Sequence, residues 1–345
     1  MSRVPRRAAD DDGGASPARP LPARIPPGGE PRLTPYVIVI ILHWGSVETT
    51  ARCLVSLRDA VYPGKRTVLV IDNGGGLDSN VADLAVPLEV EIHRPSHNLG
   101  FSGGCVEGVA VALERGADFA LLLNNDVVVD PLFLDHLVTA ANQAKDAGLL
   151  CPQIVLMGNS GKAWYQGGRF SLWSGIPAQR YWRRATDAQS PPREVDYATG
   201  CAMLIRAEVV RRVGFFDPRF FAYCEDLDLS IRARRAGFRI VFVPASVVHH
   251  EVTRDPGHQS LGIYYSTRNL IEVMHRHAAW YHWGSFTLNF LVRWLGFFTL
   301  LALVRGQPRY LTAIVRGVLD AAAGRLGRGN GVRDERDSRA AAARS

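Results

Sequence analysis

The chain has 345 residues, 47% of them hydrophobic, and a formal net charge of +7. This hydrophobic content is enough to bury a substantial core, which excludes an intrinsically disordered protein. The positive charge is concentrated at the C-terminus, where residues 305–345 hold nine arginines against four acidic residues. Such an end favours an acidic membrane surface or another anion as its partner. We expect no nucleic-acid partner, because the sequence has no zinc-finger spacing, RNA-recognition motif or zipper.

The N-terminal segment and the cysteines indicate where the protein resides. Residues 1–34 are rich in Arg, Pro, Ala and Gly and have no apolar signal-peptide core, so we expect a disordered lead-in to a cytoplasmic domain at residues 35–256. The cysteines are odd in number, widely spread and without a CxxC pair, which predicts buried free thiols in a reducing compartment. They are Cys53, Cys105, Cys151, Cys201 and Cys224.

Strand-like and helix-like segments alternate from Tyr36 onward. YVIVIIL, TVLVID, PLEVEIH and ADFALLL are apolar runs typical of strands that are covered on both faces. Helical spacing is found in VETTARCLVSLRDAVY and in GGCVEGVAVALERG, which lie between these strands. The alternation predicts an α/β fold, with a Rossmann-like, mostly parallel sheet flanked by helices and a ligand site at the carboxyl ends of the strands.

Polar residues gather where the predicted strands end. Asp126 and the two amides before it, Asn124 and Asn125, follow the fourth strand, where a hard cation could bridge diphosphate oxygens. An Asx turn or a helix N-cap explains the same residues equally well. Asp72, followed by Asn73 and three glycines, ends the second strand. An acid at this position can accept a hydrogen bond from a base or ribose. A tight polar turn is the alternative interpretation.

Two further segments contribute polar groups near this edge. NLGFSGGCVEG places Asn98 among glycines at a loop-to-helix junction, which could offer backbone N–H groups to an anion or could only allow close helix packing. A GxGxxG fingerprint does not follow the first strand, so a dehydrogenase is disfavoured. The aromatic and Gly-rich region 157–196 predicts a hairpin or a mobile loop over the edge.

Two histidines follow the last predicted strand. FRIVFV is expected to be a strand that ends at Pro244, and His249 and His250 come shortly after it. Neutral imidazole is a common metal ligand, so one of the two could complete a coordination sphere begun by Asp126. Surface or packing roles for both histidines remain open.

The stretch FAYCEDLDLS places three carboxylates at the start of a predicted helix. Acids in its first turn, arginines in its last and Gly237 beyond it agree with a capped helix, and Asp228 is spaced to pair with Arg232. The aromatic approach FFDPRFFAYC needs another reason, because a solvated helix start does not require so many rings. Rings beside a carboxylate exclude water and can hold its pKa near the value a general base needs.

The C-terminal region, residues 257–325, is predicted to be helical and to associate with a membrane, and a disordered basic tail follows at 326–345. FTLNFLVRWLGFFTLLALV, residues 286–304, is long enough to reach across a bilayer, but Asn289 and Arg293 make its first half amphipathic. An interfacial or re-entrant helix, a membrane span and a helix buried against the folded domain are all open interpretations.

Taken in order, six of these stretches resemble the family 2 glycosyltransferases of the GT-A fold, especially the rhamnosyl- and galactofuranosyl-transferring branch of bacterial envelope synthesis. They cover about residues 36–270. The stretches are VIVIILHWGSVETTARCLVSL, VLVIDNGG, NLGFSGGCVEG, LLNNDVVVDPLFL, YYSTRNL and the long segment from ATGCAMLIR through FAYCEDLDLSIRARRAG to VVHH.

The resemblance implies a role for each matched residue. Asp226 is implied to be the general base, Asp126 to be the last acid of a reduced DxD motif that reaches metal and diphosphate, and His250 to be a second metal ligand. The cofactor implied is Mg²⁺ or Mn²⁺. The implied donor-binding residues are Asp72, Asn98, Gly100, Gly104, Asn124, Asn125 and Asp126, and the supporting residues are Glu225, Asp228 and Arg268.

The resemblance also implies an activity, which is inverting transfer of a sugar from a nucleotide-sugar donor, with dTDP-rhamnose the expected donor. The expected acceptor is a cell-envelope glycan or a lipid-linked glycan, reached by peripheral membrane contact at the inner face of the plasma membrane. His43, Gly45 and Cys105 depart from the family pattern, so a non-catalytic nucleotide-sugar or glycan-binding scaffold is the alternative. A phosphoesterase using Asp126 and both histidines is a third hypothesis.

Overall fold

The computed structural model describes residues 34–178, 183–252 and 256–329. The predicted lead-in at 1–34 therefore lies almost entirely outside the described residues, and so does most of the predicted tail at 326–345. Within the described ranges, eleven strands form one sheet. They are β1 (Val37–His43), β2 (Arg66–Asp72), β3 (Val90–His93), β4 (Phe119–Asn124), β5 (Val127–Val129), β6 (Ala147–Leu156), β7 (Asn159–Tyr165), β8 (Arg183–Arg184), β9 (Arg193–Glu194), β10 (Ala202–Arg206) and β11 (Arg239–His250).

The four strands predicted from the apolar runs are β1 to β4, and they lie side by side in the order β3-β2-β1-β4. All their pairings are parallel, and every residue of β1 is buried, as expected for a strand covered on both faces. The register pairs His43 with Asp72 and Leu42 with Asn124. The carboxyl ends of β2, β1 and β4 therefore meet at one edge, which confirms the predicted α/β architecture.

Beyond β4 the sheet is mixed, and the order continues β10-β6-β11-β5. Strand β10 is antiparallel to both β4 and β6, so it starts at the edge where β4 ends. The backbone N–H of Asn124 donates to Cys201 O at 2.9 Å across this junction. The start of β10 thus joins the site edge, although the sequence pattern gave no sign of it.

The expected end of the last strand at Pro244 is wrong. Strand β11 continues through Pro244 to His250, with a register shift against β6 between Val243 and Val247. Proline has no backbone N–H for the ladder, so the strand bulges there and then pairs again. Because of this bulge both histidines lie within the strand, opposite β5.

The helices are α1 (Val47–Asp59), α2 (Gly100–Glu114), α3 (Phe133–Gln143), α4 (Ala207–Val213), α5 (Glu225–Arg235), α6 (Pro256–His277), α7 (His282–Arg305) and α8 (Arg309–Ala322). Helix α1 starts at Ser46, whose hydroxyl accepts from Glu48 N and Thr49 N. It buries Cys53, Leu54 and Leu57 at the predicted helical spacing. The five cysteines are free thiols, as predicted.

The aromatic region 157–196 supplies the turn and the second strand of a hairpin, because β7 pairs antiparallel with β6, which confirms one of its two interpretations. Its described part reaches the C-terminal helices. A Cβ on Gly175 would lie 2.2 Å from the Phe286 ring and 2.9 Å from Met274 Sδ, so the loop packs directly on α6 and α7. The hairpin region therefore bridges the sheet and the C-terminal helices.

Helix α6 belongs to the central core, because Leu270, Val273 and Met274 on it pack among the residues of the sheet. Helix α8 packs along α6, and α7, which has a π-helical turn at Phe290–Leu295, packs on α8. Trp294 Nε1 on α7 also donates to Thr267 Oγ1 on α6 at 3.0 Å. Only 11% of the most apolar window of α7 is buried. Most of this segment is therefore exposed, which disfavours its interpretation as a helix buried against the folded domain.

Candidate active site

At the end of β2, the carboxylate of Asp72 is fully buried. Its Oδ2 accepts from Leu77 N at 3.3 Å and lies 3.7 Å from Arg94 Nε, while its Oδ1 lies 4.0 Å from His43 Nε2. The other ring nitrogen of His43 is 2.7 Å from Thr50 Oγ1. A buried carboxylate with one oxygen toward a histidine and one toward an arginine can accept hydrogen bonds from a polar ligand.

Asn73 holds this strand end to the loop before α2. Its Nδ2 donates to Asn98 Oδ1 and to Gly100 O, each at 3.0 Å, and its Oδ1 accepts from Leu99 N at 2.8 Å. The sequence placed Asn73 at the edge but did not mark it as a site residue. The signal that could have found it is its position directly after a buried strand, next to Asp72.

The loop at Asn98 is satisfied within the protein. Asn98 Oδ1 also accepts from Gly100 N at 2.8 Å, and Ser102 N donates to Phe221 O at 3.0 Å. These N–H groups at the start of α2 are therefore already bonded, which disfavours the hypothesis that they bind an anion. Gly100 has φ +72°, and a Cβ there would lie 2.5 Å from Phe221 O, so this position requires glycine.

Gly104, expected to bind the donor, lies under the sheet instead. A Cβ at Gly104 would lie 2.3 Å from Leu42 Cδ1, and one at Gly108, a turn later, would lie 2.4 Å from Ile40 Cγ2. Both glycines let α2 approach β1 closely. The packing interpretation is therefore correct for Gly104, and its assignment to donor contact is revised.

The residues at the end of β4, Asn124, Asn125 and Asp126, have three different roles. Asn125 is buried, and its Nδ2 donates to Trp44 O at 3.0 Å and to Thr50 Oγ1 at 2.9 Å, so its amide fixes the turn between β1 and α1 rather than contacting a ligand. Asn124 is part of β4 and donates its backbone N–H to Cys201. Asp126 alone is left with a carboxylate oxygen, Oδ1, that has no hydrogen bond among the described residues.

His250 stands beside Asp126. Its Nε2 lies 3.3 Å from Asp126 Oδ2, and its ring packs edge-on against Trp164 at 4.7 Å. His249 faces away and lies 2.8 Å from Asp130 Oδ1. The structure thus brings His250, and not His249, to Asp126, and it removes the two-histidine arrangement that the phosphoesterase hypothesis needs.

A hard cation at this point would find few protein ligands. No group of three or more His, Cys, Asp or Glu side chains arranged to hold a metal occurs among the residues that the structure describes. Asp126 and His250 supply one carboxylate and one imidazole, and the buried Asp126 Oδ1 is free to ligate. This pair fits a divalent ion whose remaining ligands come from water and phosphate oxygens, which is how Mg²⁺ is usually held.

The aromatic approach to α5 has an unusual backbone. Phe221, Tyr223 and Cys224 all have positive φ, at 64°, 70° and 67°. Non-glycine residues seldom adopt this region, and such residues cluster at functional sites. The segment ends at Cys224, from which α5 begins with Glu225 and Asp226.

Asp226 is part-buried and held by two backbone donors. Gly200 N donates to its Oδ2 at 2.9 Å and Leu227 N to its Oδ1 at 2.8 Å. Burial raises the pKa of Asp226, and these two hydrogen bonds only partly oppose that effect. The direction agrees with the pKa prediction made from the aromatic approach. The ring that packs against Gly200 beside the carboxylate is Phe101, which lies in α2 and not in that approach.

Glu225 and Asp228 have opposite environments. Burial, followed by the charge of Asp226, raises the pKa of Glu225 to about 8, although Ser102 Oγ donates to it at 3.1 Å. Burial would also raise the pKa of Asp228, but hydrogen bonds from His277 and Arg232, each at 2.8 Å, outweigh it and lower that pKa. The predicted pairing of Asp228 with Arg232 is confirmed.

The Gly200–Cys201 segment joins the two halves of the site. The carbonyl of Cys201 bonds the end of β4, two residues before Asp126, while the N–H of Gly200 bonds Asp226. The charges of both aspartates raise the pKa of the Cys201 thiol, after burial as the main cause. Asp126 and Asp226 therefore flank one short segment at the same edge.

Arg268 is fully buried in α6 and does not contact the carboxylates. Its Nη2 donates to Phe220 O at 2.9 Å and its Nη1 to Gly327 O at 2.7 Å. The adjacent Asn269 donates to three carbonyls of the aromatic segment. The sequence singled out Arg268 and overlooked Asn269, although both occur in the same YYSTRNL stretch.

The sequence matches a protein-family model and individual known proteins. A family model described as "Glycosyltransferase like family 2" matches residues 34–282. N-acetylglucosaminyl-diphospho-decaprenol L-rhamnosyltransferase of Mycobacterium tuberculosis is 27% identical over 237 residues, which cover 62% of this chain and 76% of that protein. Rhamnosyltransferase WbbL of Escherichia coli is 43% identical over 61 residues, which cover 18% of this chain and 23% of that protein.

Two solved structures resemble this one at the level of the fold. GalNAc-T7 with UDP, GalNAc and Mn²⁺ superposes with a TM-score of 0.57 and 18% identity, over 70% of this chain and about half, 48%, of that chain. Residues 1–349 of S. aureus TarS superpose with a TM-score of 0.54 and 13% identity, over 83% of this chain and 80% of that chain. At these identities the likeness supports the architecture alone.

Proposed function

The chain belongs to family 2 of the glycosyltransferases, and from this premise we propose that it transfers rhamnose from dTDP-rhamnose, with inversion, to a lipid-linked glycan of the cell envelope. Transfer of rhamnose is supported by the names of two relatives, both of them rhamnosyltransferases, and a lipid-linked acceptor by the decaprenol in the name of the first. The observation that carries the proposal is the carboxylate of Asp226, held by Gly200 N and Leu227 N at the sheet edge that also carries Asp126.

Asp226 is the proposed general base. As the acceptor oxygen forms its bond to the anomeric carbon, the bond from that carbon to the diphosphate breaks, and the hydroxyl proton passes to Asp226. A single displacement of this kind inverts the anomeric centre and needs only one catalytic carboxylate. Glu225 is less suited to this role, because its side chain is buried, its carboxylate already accepts a hydrogen bond from Ser102, and its pKa is raised to about 8.

Asp72, with His43 and Arg94 around it, is the proposed contact for the nucleotide base. Asp126 and His250 are the residues that would hold Mg²⁺ or Mn²⁺ together with the donor diphosphate. When bound, the ion would neutralise charge on the leaving nucleoside diphosphate. Because the protein offers one carboxylate and one imidazole, we expect the ion to bind more tightly with donor present than alone.

Peripheral contact with a membrane is proposed for α7, and the exposure of its apolar residues supports it. One face packs on the protein through Phe286, Phe290 and Ala302, whereas the opposite face presents an apolar stripe to solvent. The stripe consists of Leu288, Leu291, Val292, Phe297, Leu300, Leu303 and Val304. An exposed apolar stripe of this length marks an interaction surface, and its spacing runs along a single helical face.

The groups around the stripe match a lipid surface with anionic headgroups. Trp280 and Tyr281 are exposed at one end, and Arg305 and Arg309 are exposed at the other. Aromatic rings and arginines of this kind lie at the headgroup level of membranes. Because α7 packs on the protein through Phe286, Phe290 and Ala302 while its apolar stripe faces outward, we propose that it lies in the membrane plane at the cytoplasmic face, where a lipid-linked acceptor would be reached.

The deciding experiment for the activity is a donor panel. Wild type and Asp226→Asn are incubated with dTDP-rhamnose and other nucleotide sugars, Mg²⁺ or Mn²⁺ and a lipid-linked acceptor, and nucleoside diphosphate release and product anomer are measured. We expect acceptor-dependent release from dTDP-rhamnose and a loss in the variant of about 10²- to 10⁴-fold. Equal release in the variant would remove Asp226 as the base, and binding of donors without any transfer would favour a non-catalytic scaffold.

Membrane contact is tested by flotation with vesicles. Leu300→Glu combined with Leu303→Glu should lower binding to phosphatidylglycerol vesicles by at least about 10-fold, because each buried leucine contributes roughly 1.5–3 kcal/mol. The matched control combines Val61→Glu with Leu132→Glu, which changes exposed apolar residues far from the stripe. Equal losses in both double variants would refute the assignment of the stripe.

A further inference from the structure

The aromatic segment that leads to Asp226, residues 220–224, rests on two fully buried polar side chains of α6. Arg268 is 1% exposed and Asn269 is 0% exposed. Asn269 Nδ2 lies 2.9 Å from Phe220 O, 2.7 Å from Ala222 O and 2.8 Å from Tyr223 O. A single amide nitrogen thus serves three carbonyls within four residues.

Arg268 fixes the orientation of that amide. Its Nε donates to Asn269 Oδ1 at 2.9 Å, so Nδ2 of Asn269 must face the segment. Its Nη2 donates to Phe220 O at 2.9 Å, which makes this carbonyl common to both side chains. An amide whose oxygen and nitrogen are both used in this way has one allowed position.

The backbone conformation of residues 220–224 is one that the segment would not keep without contacts from the rest of the protein. Three of its residues, Phe221, Tyr223 and Cys224, have positive φ, a region that non-glycine residues disfavour. Such conformations persist only where surrounding contacts over-determine them. The carbonyls of Phe220, Ala222 and Tyr223 in this segment all accept from Asn269.

The C-terminal segment closes the same arrangement. Arg268 Nη1 donates to Gly327 O at 2.7 Å, and Gly327 N donates to Arg219 O at 2.6 Å, just before the aromatic segment. Gly329 N donates to Tyr265 Oη at 3.2 Å on the same helix. The segment is therefore held from α6 and from the chain that follows α8.

We propose that Asn269, oriented by Arg268, is a positioning residue that holds the backbone of residues 220–224, three of which have positive φ, and so aims Asp226 at the acceptor hydroxyl. This inference rests on the proposed role of Asp226 as the base. Asn269 touches no reacting atom and acts only through the backbone that precedes α5. Phe221 also contacts Gly100, so the same segment sets the distance between α5 and the loop at Asn98.

The test replaces the amide and follows both the segment and the reaction. In Asn269→Ala we expect kcat to fall about 100-fold, because a misplacement near 1 Å can cost that much, with the donor Kd within about twofold of wild type. Hydrogen exchange in peptides covering residues 217–229 should become faster in this variant. Arg268→Lys keeps the positive charge but loses the forked guanidinium donors. It should show the same changes, with kcat lowered about 10-fold.

The matched control is Thr67→Ala, which removes a buried hydrogen bond to Tyr36 Oη, 3.0 Å long, at the end of β2 opposite to Asp72. It should lower thermal stability without changing kcat or exchange in residues 217–229. Full kcat in Asn269→Ala, or unchanged exchange in the segment, would overturn the inference. If Asn269→Ala does not fold, Arg268→Lys decides by the same two measurements.

Failure of the proposed function gives a different result. If wild type transfers no sugar from any donor, the proposed activity fails, and the role in aiming Asp226 fails with it. Exchange in residues 217–229 would then still show whether the two side chains hold the segment. If wild type is active and Asn269→Ala is equally active, the activity stands and the inference alone is overturned.

Discussion

Glu225→Gln is expected to leave activity at pH 7 nearly unchanged, even though Glu225 is buried and adjacent to the proposed base. With a pKa of about 8, roughly nine tenths of the side chain is protonated at pH 7, since one pH unit is a tenfold ratio. Glutamine has the shape of that neutral acid. Its carbonyl oxygen can accept the hydrogen bond that Ser102 Oγ now donates at 3.1 Å.

The same substitution should change how stability depends on pH. The folded state raises the pKa of Glu225 from 4.5, so between about pH 4.5 and pH 8 the folded chain binds a proton that the unfolded chain has lost. In this range the wild-type free energy of unfolding falls as pH rises, by up to about 1.4 kcal/mol per unit from this group. Glutamine does not titrate, so the variant gains relative to wild type as pH increases.

Asp226→Asn provides the contrast, because it removes the proposed base from the neighbouring position. We expect its kcat to fall by about 10²- to 10⁴-fold at pH 7, against less than about threefold for Glu225→Gln. Nucleoside diphosphate release and urea unfolding are measured for wild type and both variants from pH 5 to pH 8.5. A Glu225→Gln enzyme as impaired as Asp226→Asn at pH 7, or a stability difference that does not grow with pH, would refute the reasoning.

Three other outcomes are expected. Gly100→Ala should lower the free energy of unfolding, measured by urea titration, by several kcal/mol, because the added Cβ would clash with Phe221. Gly116→Ala, also at positive φ but with no atom within 4 Å of the added Cβ, should lower it by about 1 kcal/mol. Equal losses in the two variants would contradict the clash. Asp228→Asn should lower the free energy of unfolding by roughly 3 kcal/mol at pH 7. Because folding lowers the pKa of Asp228 from 3.8, this difference from wild type should decrease below pH 3.8 and vanish below the folded pKa. A difference that stays constant with pH would contradict its ion-pair origin. His250→Ala should raise the Mn²⁺ concentration for half-maximal activity by about 10-fold while His249→Ala does not, and equal shifts would contradict the pairing with Asp126.

Local sequence patterns predicted much of the secondary structure, because burial on both faces and helical spacing depend on near neighbours. The strands β1 to β4 and the buried face of α1 lie where the apolar periodicity placed them. The pairing of Asp228 with Arg232 was predictable for the same reason, since residues four apart share a helix face. The continuation of β11 through Pro244 was not predictable, because a bulge is set by the partner strand.

The candidate site was predictable in its position and less so in its roles. Parallel strands collect their carboxyl ends at one edge, so Asp72 and Asp126 were expected there. Gly104 and Asn125 looked like ligand contacts but serve packing and turn bonding, because what a side chain meets across the sheet is not written in its own segment. Asn73 was underestimated for the same reason.

The sequence by itself determined the α/β class, the order of strand-end motifs and the presence of an apolar helix near the C-terminus. Only the tertiary structure decided that burial raises the pKa of Glu225 beside Asp226, that His250 faces Asp126, that the apolar stripe of α7 points outward, and that Asn269 bonds the segment before α5. The physical reason is that protonation, ligand pairing and exposure depend on groups brought together from distant parts of the chain. Periodicity and spacing record only each residue's neighbours along the chain.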